Sequence, residues 1–497
     1  MAANLSLPTE LSHFLNRPVP QALLIRGAPG SGKTMLALEI LEAFPGRPIY
    51  VTSRVRQPDL AIDFPALGRM AETGRVSIVD MTAAGSDLRT ASRALMSAPG
   101  LVETDDRRHS VRSLLLPPEV LEAWSQSSPT APSLVVLDSW DAIVEHHMGD
   151  PGKAGDSLPS RQDLERIALS QMAEGPVFLV LVVERREDAQ LEYLVNGIVS
   201  MERDIHDGRM ERWLHIDKLR GTRIAHPSYP FSLEGGRFRC IEPFRTGMRP
   251  GGSRADPEPG DCPGEIWPGS ADYASYFGRL PVGKMTLIEY DTDVPISAVR
   301  LLVVPVLNQV VSRGGRVFHI PHPGIHAKEV WEMYEGRTKK EDFLRQVRLL
   351  GTLANGDPTE FASVMLPLPS AKTDALNPRV PEAAQFLREN SDPSRPNVGV
   401  VSIAGLKTVN SLVPGSYTPE TLPGLALTYM HQSPGHEIWV GPVEDPLTEC
   451  LRPVATTRVR MYMREGRVFV HGIIPRTPAL VLTEGDDRSP YHLLLIV

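Results

Sequence analysis

Cysteine is scarce in this chain of 497 residues, which contains only Cys240, Cys262 and Cys450. They lie far apart without CxxC spacing, so the sequence offers neither a disulfide framework nor a cysteine zinc site. No apolar run approaches the roughly 20 residues that a membrane span needs. The N-terminal Met-Ala-Ala-Asn-Leu-Ser lacks the basic region and apolar core of a secretory signal. These absences predict a cytoplasmic protein with free thiols and no membrane partner.

A dominant charge of one sign is also missing. Lys plus Arg number 52 against 60 for Asp plus Glu, which leaves a net charge of −8. This balance argues against nucleic acid as the main partner, although a local basic patch stays open, and no aromatic and basic platform for single strands is evident. With 41% apolar and 23% charged residues, the composition is that of a globular protein, and the length predicts two or three domains.

The most informative segment is Gly27-Ala-Pro-Gly-Ser-Gly-Lys-Thr34. It follows a strand-like apolar run and precedes a helix-like one, which is the context of a phosphate-binding P-loop, whereas the alternative is merely a tight turn. Backbone N–H groups of such a loop cradle phosphates at a helix N-terminus, while the lysine reaches the β and γ phosphates of ATP and the threonine meets Mg²⁺. The predicted nucleotide-binding residues are Gly27, Ala28, Pro29, Gly30, Ser31, Gly32, Lys33 and Thr34.

Four further strand-like runs alternate with helical patterns and predict a mainly parallel sheet covered on both faces. They are Pro48–Thr52, Arg75–Asp80, Ser133–Asp138 and Val177–Val183. The third is continuously apolar and ends in a carboxylate, which is the form of a Walker B element. Asp138 would therefore hold Mg²⁺ together with Thr34, directly or through water. The alternative is that Asp138 caps the following helix.

Two alternating runs, Gly197–Arg203 and Arg209–Lys218, predict an antiparallel hairpin that turns at Asp207-Gly208. The second strand leads into Lys218-Leu-Arg-Gly221. Lys218 and Arg220 occupy alternate positions, so both point to one face and could meet a polyanion together. The alternative is a pair of surface cations at a sheet edge.

Several ordered motifs together resemble the KaiC-like branch of the RecA superfamily of P-loop ATPases, over about residues 10–245. They are the P-loop, Leu137-Asp-Ser-Trp-Asp141, Val183-Glu-Arg185, the hairpin, Lys218-Leu-Arg-Gly-Thr222 and Tyr229-Pro-Phe231. The resemblance implies a RecA-type α/β fold and a homo-oligomer with ATP at the subunit interfaces. It also implies a catalytic set of Lys33, Asp138, Lys218 and Arg220, of which the last two reach the γ-phosphate held by the neighbouring subunit.

One stretch departs from the KaiC-like pattern. Where those ATPases carry an acidic pair after the second strand, this chain has Ser53 and Arg54. Neither side chain can act as a general base at neutral pH, so hydrolysis is expected to be slow or to use Glu184 or Glu145. The Ser-Arg-Val stretch and Arg17-Pro-Val-Pro20 are also similar to the archaeal GvpD-like gas-vesicle regulators, which are P-loop proteins of regulatory character.

Residues 276–497 repeat the strand and helix order of the first half without its chemistry. Laid on the P-loop without gaps, Tyr290–Ser297 places Pro295 at Gly32 and Ile296 at Lys33, which removes a phosphate-binding N–H and the cation. Ala404 ends the run that corresponds to the Walker B strand. The corresponding strands are Lys284–Glu289, Arg316–Pro321, Val400–Ala404, Arg458–Met463 and Val468–Ile474, with a helix at Val299–Val304. The alternative is an unrelated α/β domain that binds a partner.

The sequence therefore predicts an α/β protein with two tandem RecA-like three-layer domains, mainly parallel central sheets and a degenerate second copy. Residues 1–245 would bind ATP, 246–275 would form a Pro/Gly-rich linker and 276–497 would lack a nucleotide site. The favoured function is a regulatory ATPase with one Mg-ATP site that couples nucleotide state to assembly or to a protein partner on the C-terminal domain. The alternatives are a non-hydrolysing ATP-binding scaffold and a recombinase-like DNA-dependent ATPase.

Overall fold

The computed structural model divides into two compact units, Met1–Glu242 with Ile496–Val497, and Pro243–Leu495. The predicted domain boundaries stay predictions, but Asp256, Trp267 and Ser270 from the predicted linker are buried, and the Trp267 indole N–H donates to the Asp256 carbonyl at 3.0 Å within the second unit. The structure describes residues 6–19, 21–82, 120–122, 126–127, 132–148, 165, 177–184, 189–245, 256, 258–260, 262–322, 325–335, 338–350, 359–366, 385–387, 400–412, 418–432, 435–485 and 489–496.

In the described part of the first unit, nine strands form one sheet in the order β3-β2-β4-β5-β1-β6-β7-β8-β9. Neighbours from β3 to β6 run parallel, and β6 to β9 run antiparallel. The strands are β1 (Ala22–Gly27), β2 (Arg47–Thr52), β3 (Ser77–Asp80), β4 (Ser133–Asp138), β5 (Val177–Val183), β6 (Gly197–His206), β7 (Arg209–Leu219), β8 (Ser228–Ser232) and β9 (Arg239–Cys240); the helices are α1 (Thr9–Leu15), α2 (Lys33–Ala43), α3 (Gln57–Asp63), α4 (Pro65–Glu72), α5 (Trp140–Met148) and α6 (Ala189–Leu194), with a 3₁₀ turn at Glu234–Gly236.

Apolar side chains that alternate along the central strands cover both faces of this sheet. In β4, Leu134 and Val136 belong to the core under α2, whereas Val135 and Leu137 belong to the core under α5. All four are at most 1% exposed. A strand buried on both faces reads as a continuous apolar run, which is why β4 could be located from sequence. The result is a three-layer arrangement.

Glu10 attaches α1 to the antiparallel end of the sheet. Its carboxylate accepts hydrogen bonds from the Tyr229 hydroxyl at 2.6 Å and from the backbone N–H groups of Ala225 and His226 at 3.1 and 3.0 Å. Burial raises the pKa of Glu10, but these hydrogen bonds outweigh that effect and leave the pKa below its ordinary value. The charged carboxylate therefore stabilises the fold.

Glu10→Gln is expected to lower the free energy of unfolding at pH 7 by about 1–3 kcal/mol, because charge-assisted hydrogen bonds are lost. A lowered folded pKa means that this stabilisation is present above the unfolded pKa and disappears as the pH falls through the folded value. Urea titrations across the acid range should therefore show a shallower pH dependence for the variant. The exposed Glu72→Gln serves as the control, and an unchanged pH profile in Glu10→Gln would contradict the assignment.

In the second unit, ten described strands form one sheet in the order β15-β14-β13-β16-β17-β12-β18-β19-β20-β21, beside the small pair β10-β11. The strands are β10 (Glu265–Ile266), β11 (Leu280–Pro281), β12 (Met285–Tyr290), β13 (Arg316–Ile320), β14 (Val347–Leu350), β15 (Met365–Leu366), β16 (Val400–Gly405), β17 (His436–Pro442), β18 (Thr457–Arg464), β19 (Arg467–Ile474), β20 (Leu480–Glu484) and β21 (Tyr491–Leu495); the helices are α7 (Ala271–Phe277), α8 (Ile296–Ser312), α9 (Ala327–Glu332), α10 (Lys340–Gln346), α11 (Leu406–Leu412), α12 (Leu422–Gln432) and α13 (Pro446–Leu451), with a 3₁₀ segment at Thr359–Val364.

Nine of the ten described strands of the second sheet repeat the order of the first sheet, and β15 is an additional edge strand. From β14 to β21 its order and its parallel or antiparallel pairings match those from β3 to β9, with β12 in the place of β1 and β16 in the place of β4. Even a register shift recurs, between Ile198 and Val199 in the first hairpin and between Arg458 and Val459 in the second. The predicted fold class, two tandem α/β domains with mainly parallel sheets, is confirmed.

Two further findings concern the chain as a whole. All three cysteines lie in described positions and are free thiols, as their spacing predicts. Among the described residues, no helix combines the length and hydrophobicity that crossing a bilayer requires.

Candidate nucleotide site

The predicted P-loop connects the carboxyl end of β1 to the start of α2. A Cβ on Gly27 would lie 2.4 Å from the Met201 carbonyl oxygen, so only glycine fits where the loop leaves the sheet. Gly32, with φ of 101°, precedes the first turn of α2 in the left-handed region that favours glycine. These two glycines let the chain turn from strand to helix with its N–H groups available at the helix N-terminus.

Lys33 lies inside the loop and is only 7% exposed. Its Nζ donates to the carbonyl oxygens of Gly27 at 2.7 Å and Ala28 at 3.0 Å. Burial lowers the pKa of Lys33, and the carboxylates of Glu184 and Asp138 partly oppose that effect. The ammonium group is thus held by neutral carbonyl oxygens, which a phosphate oxygen can replace.

Asp138 ends β4 beside the loop and meets two hydroxyl groups. Thr34 Oγ1 and Tyr50 Oη both donate to Asp138 Oδ2, each at 2.8 Å. Burial raises the pKa of Asp138, while the hydrogen bonds from Tyr50 and Thr34 and the charge of Lys33 act in the opposite direction. The structure therefore brings the two predicted magnesium ligands together, and it adds Tyr50, which the sequence argument missed.

Ser53, one of the two residues in place of the acidic pair, joins the ends of two strands. Its Oγ accepts a hydrogen bond from the Ser139 N–H at 2.9 Å and donates to the Ser139 carbonyl at 3.0 Å. Its own N–H donates to the Asp138 carbonyl at 3.0 Å. The side chain is buried and fully engaged in this contact, which agrees with the expectation that Ser53 is no general base.

Arg54 is paired with Glu184, the carboxylate that follows β5. The guanidinium Nη1 donates to Glu184 Oε1, and the two side chains are 44% and 34% exposed. The Glu184 backbone N–H donates to Asp141 Oδ2 at 2.9 Å, which fixes the start of the segment after β5. The sequence argument treated Arg54 and Glu184 separately and missed that they form one pair.

A cavity of about 430 Å³ opens over these groups. Its lining includes Lys33, Thr34, Tyr50, Asp138, Arg54 and Glu184, together with the apolar Val55, Leu60, Phe64 and Leu233. Glu145, the other carboxylate considered for catalysis, is exposed on α5 and does not belong to this lining. The cavity thus combines an apolar wall with a few convergent polar groups, as ligand sites do.

The residues present fit a nucleotide with Mg²⁺. Within the described part of the chain, the buried Ser31 Oγ has no hydrogen-bond partner, and it lies in the middle of the loop where a phosphate would be cradled. Thr34 and Asp138 supply two oxygen ligands, which suits an ion that takes one or two protein ligands and its remaining ligands from phosphate and water.

Lys218 and Arg220 lie at the other end of the sheet from this cavity. Leu219 pairs with Gly197, which pairs with Leu23 at the start of β1. Leu23 and Gly27 are four positions apart along β1, which is a distance of roughly 13 Å at about 3.3 Å per residue. Lys218 Nζ donates to the Glu192 carbonyl at 2.6 Å and Arg220 Nη2 to the Tyr193 carbonyl at 3.2 Å. Both cations therefore sit at one helix end, away from the P-loop of their own chain.

Two other arginines lie beside the P-loop and were not singled out from the sequence. Arg203 and Arg212 oppose each other across the β6–β7 hairpin. Arg212 Nη1 donates to the Gly30 carbonyl at 2.9 Å, whereas its buried Nε has no partner in the described residues. Burial and the charge of Arg203 lower the pKa of Arg212.

The corresponding place in the second unit carries different residues. The shared register shift aligns Val459 with Val199, hence Tyr290 with Gly27, and α8 begins six residues after Tyr290 as α2 does after Gly27. Pro295 and Ile296 therefore occupy the positions of Gly32 and Lys33, as the gapless alignment predicts. Ile296 and Gly405 line a cavity of about 30 Å³.

The position of the Walker B carboxylate differs by one residue from the prediction. Asp138 pairs with Val182, and the aligned Val440 pairs with Gly405 rather than with Ala404. The missing carboxylate thus corresponds to Gly405. Either residue leaves this site without an acidic metal ligand.

A family model matches part of the first unit. The model of the family described as GvpD gas vesicle protein, P-loop domain, matches residues 11–217. GvpD2 and GvpD1 of Halobacterium salinarum are each 30% identical over 241 residues, which are 48% of this chain and 44% and 41% of those proteins. The chain thus spans less than half the length of these curated relatives.

A solved structure of a KaiC-like protein from Pyrococcus horikoshii also matches, with 17% identity and a TM-score of 0.30 over 45% of this chain and 89% of that one. The family-model match starts in α1 and ends in β7, so it contains the P-loop, the Walker B strand and the β6–β7 hairpin. Residues 11–217 therefore resemble the P-loop domain of GvpD proteins.

Proposed function

We propose that the first unit binds one Mg-ATP and that the protein is a regulatory ATPase with a slow turnover. The observation that carries this proposal is the asymmetry between the two copies. The first has Lys33, Thr34 and Asp138 around a cavity of about 430 Å³, whereas the second has Ile296 and Gly405 at a cavity of about 30 Å³.

The loop and its lysine would bind the phosphates. Lys33 would exchange the carbonyls of Gly27 and Ala28 for β and γ phosphate oxygens, and the loop N–H groups would donate to the same phosphates. Thr34 and Asp138 would hold Mg²⁺, which neutralises phosphate charge when bound. Tyr50 keeps the Asp138 carboxylate oriented through its hydroxyl. The apolar wall of Leu60, Phe64 and Leu233 would exclude water from one side.

Lys218 and Arg220 support a homo-oligomer in this proposal. They lie at the opposite strand ends from their own P-loop, so they can meet a γ-phosphate only when a second copy presents its cavity to them. Nucleotide state would then act on assembly through the contacts that the γ-phosphate makes. The second unit, without a site of its own, would offer a surface for a protein partner.

A regulatory role is the one we favour for a chain that resembles the family described as GvpD gas vesicle protein, P-loop domain. A non-hydrolysing ATP-dependent scaffold is the second candidate, and Ser53 and Arg54 in place of the acidic pair favour it. A DNA-dependent ATPase has no specific support, since the net charge is −8.

Calorimetry on the full chain with Mg-ATP is expected to give one nucleotide per chain. Ile296→Ala should leave this stoichiometry unchanged, because Ile296 belongs to the copy that lacks a phosphate loop. Two equal sites, or none, would contradict the proposal. Release of inorganic phosphate over hours separates the two candidates: measurable turnover supports the ATPase, and tight binding without release supports the scaffold.

A further inference from the structure

We infer that Arg54 and Glu184 form a γ-phosphate-responsive pair, in which Arg54 leaves Glu184 to bind the γ-phosphate and Glu184 is thereby freed to take the proton of the attacking water. This inference rests on the proposed function and adds to it the residue that distinguishes ATP from ADP and the general base. Neither role follows from the P-loop motif itself.

The pair spans the place where the γ-phosphate must lie. Thr52 at the end of β2 and Val182 in β5 are the register neighbours of Asp138 on its two sides. Arg54 and Glu184 each follow these residues by two positions, so their side chains meet above Asp138 from opposite sides. Both line the same cavity as Lys33 and Thr34. If a triphosphate is bound by Lys33, Thr34 and Asp138, its terminal phosphate would therefore lie next to Arg54 and Glu184.

The two residues differ in how firmly they are placed. Glu184 is anchored at its backbone N–H by the Asp141 carboxylate at 2.9 Å. The guanidinium of Arg54, in contrast, pairs with Glu184 at a place where it is 44% exposed, so it can turn without breaking a buried contact. A γ-phosphate carries more negative charge than one carboxylate and offers three oxygens, so it competes well for a guanidinium.

The ion pair occupies one oxygen of the Glu184 carboxylate as long as Arg54 stays in place. A carboxylate oxygen that accepts a hydrogen bond from arginine has that lone pair occupied and cannot use it to accept the proton of a water. When Arg54 moves to the phosphate, Glu184 remains beside Lys33 as an unpaired carboxylate in the cavity. The water oxygen then forms a bond to the γ-phosphorus, the bond from that phosphorus to the bridging oxygen breaks, ADP leaves with the electron pair, and the water proton passes to Glu184.

Binding of a fluorescent ATP analogue and of the matching ADP analogue, measured on the full chain, tests Arg54. Arg54→Ala is expected to weaken ATP binding about 10- to 100-fold while the ADP affinity stays within a factor of about 2. A structural role would weaken both nucleotides together. Arg56→Ala, an exposed arginine outside the cavity lining that pairs with Asp59, is the matched control and should change neither affinity.

Glu184→Gln tests the second part of the inference, which is the role of Glu184 as the general base. Turnover should fall about 100-fold or more, the contribution of a positioned base, with ATP affinity equal to or higher than that of the wild type because Arg54 is released. Glu72→Gln on the exposed end of α4 is its control.

The outcomes distinguish this inference from the function on which it rests. If the wild type binds neither nucleotide, both are wrong. If the wild type binds ATP but Arg54→Ala loses or keeps both affinities equally, the inference is wrong and the site stands. Undiminished turnover in Glu184→Gln would show that Glu184 is not the general base. Loss of ATP affinity in that variant would show that Arg54 does not leave Glu184 to bind the γ-phosphate.

Discussion

Lys33→Ala is expected to abolish measurable ATP binding to the full chain, with a loss of about 2–5 kcal/mol, or roughly 30-fold to several thousand-fold in Kd. The reason is that Lys33 is the buried cation at the start of α2 and lies where phosphates must bind. Its removal also leaves the carbonyls of Gly27 and Ala28 without their donor. Calorimetry with Mg-ATP measures the effect directly.

Lys284→Ala is a matched control for this experiment. Lys284 also follows a glycine, but it is exposed and lies before β12 rather than after the strand. It should leave ATP binding unchanged. Thermal unfolding of both variants should stay near that of the wild type, and ATP binding that survives in Lys33→Ala would show that the nucleotide is held elsewhere.

Much of the fold could be predicted because strands buried on both faces have continuous apolar sequences. Ser133–Asp138 and Val177–Val183 were predicted with the bounds that the structure gives them. The helix predicted at Val299–Val304 extends over Ile296–Ser312, since its buried apolar positions continue through Pro305. The proline marks a helix end in local terms, but tertiary burial overrides that local preference.

The relative placement of the candidate site residues could be predicted where the motif itself sets the geometry, and their roles stay predictions. The P-loop lies between β1 and α2, and Thr34 contacts Asp138, both of which follow from strand order and spacing. The contributions of Tyr50 and Arg212, and the pairing of Arg54 with Glu184, could not be found in this way. A sequence gives the position of a residue along its strand, whereas these contacts depend on which strands are neighbours in the sheet.

In the second unit, too, some residue correspondences depend on strand pairing and could not be predicted from the sequence. The gapless alignment of Tyr290–Ser297 with the P-loop agrees with the strand register, because both turns have five residues between strand and helix. The alignment of Ala404 with Asp138 was wrong by one residue, since the run Val400–Gly405 offers no polar residue to mark its end. The pairing of β17 with both β12 and β16 shows which residue of β16 corresponds to Asp138. This pairing is a tertiary contact that the sequence alone does not reveal.

The location of Lys218 and Arg220 leads to the second large expected effect. Lys218→Ala should leave ATP affinity unchanged and reduce turnover by about 10³-fold or more, the contribution of a cation supplied to the γ-phosphate in trans. Mixing this variant with Lys33→Ala should restore activity. The Lys218→Ala chain contributes an intact P-loop, the Lys33→Ala chain contributes an intact Lys218, and random assembly gives about a quarter of the interfaces both.

The double variant Lys33→Ala with Lys218→Ala decides whether this recovery comes from shared sites. Mixed with either single variant it should restore nothing, because no interface then combines a working loop with a working cation. Lys218→Met keeps the aliphatic stem and removes only the ammonium that donates to the Glu192 carbonyl, so it should behave like Lys218→Ala if charge is what matters. Full turnover in Lys218→Met, or no recovery in the mixture of the two single variants, would assign Lys218 to the helix end of its own chain alone.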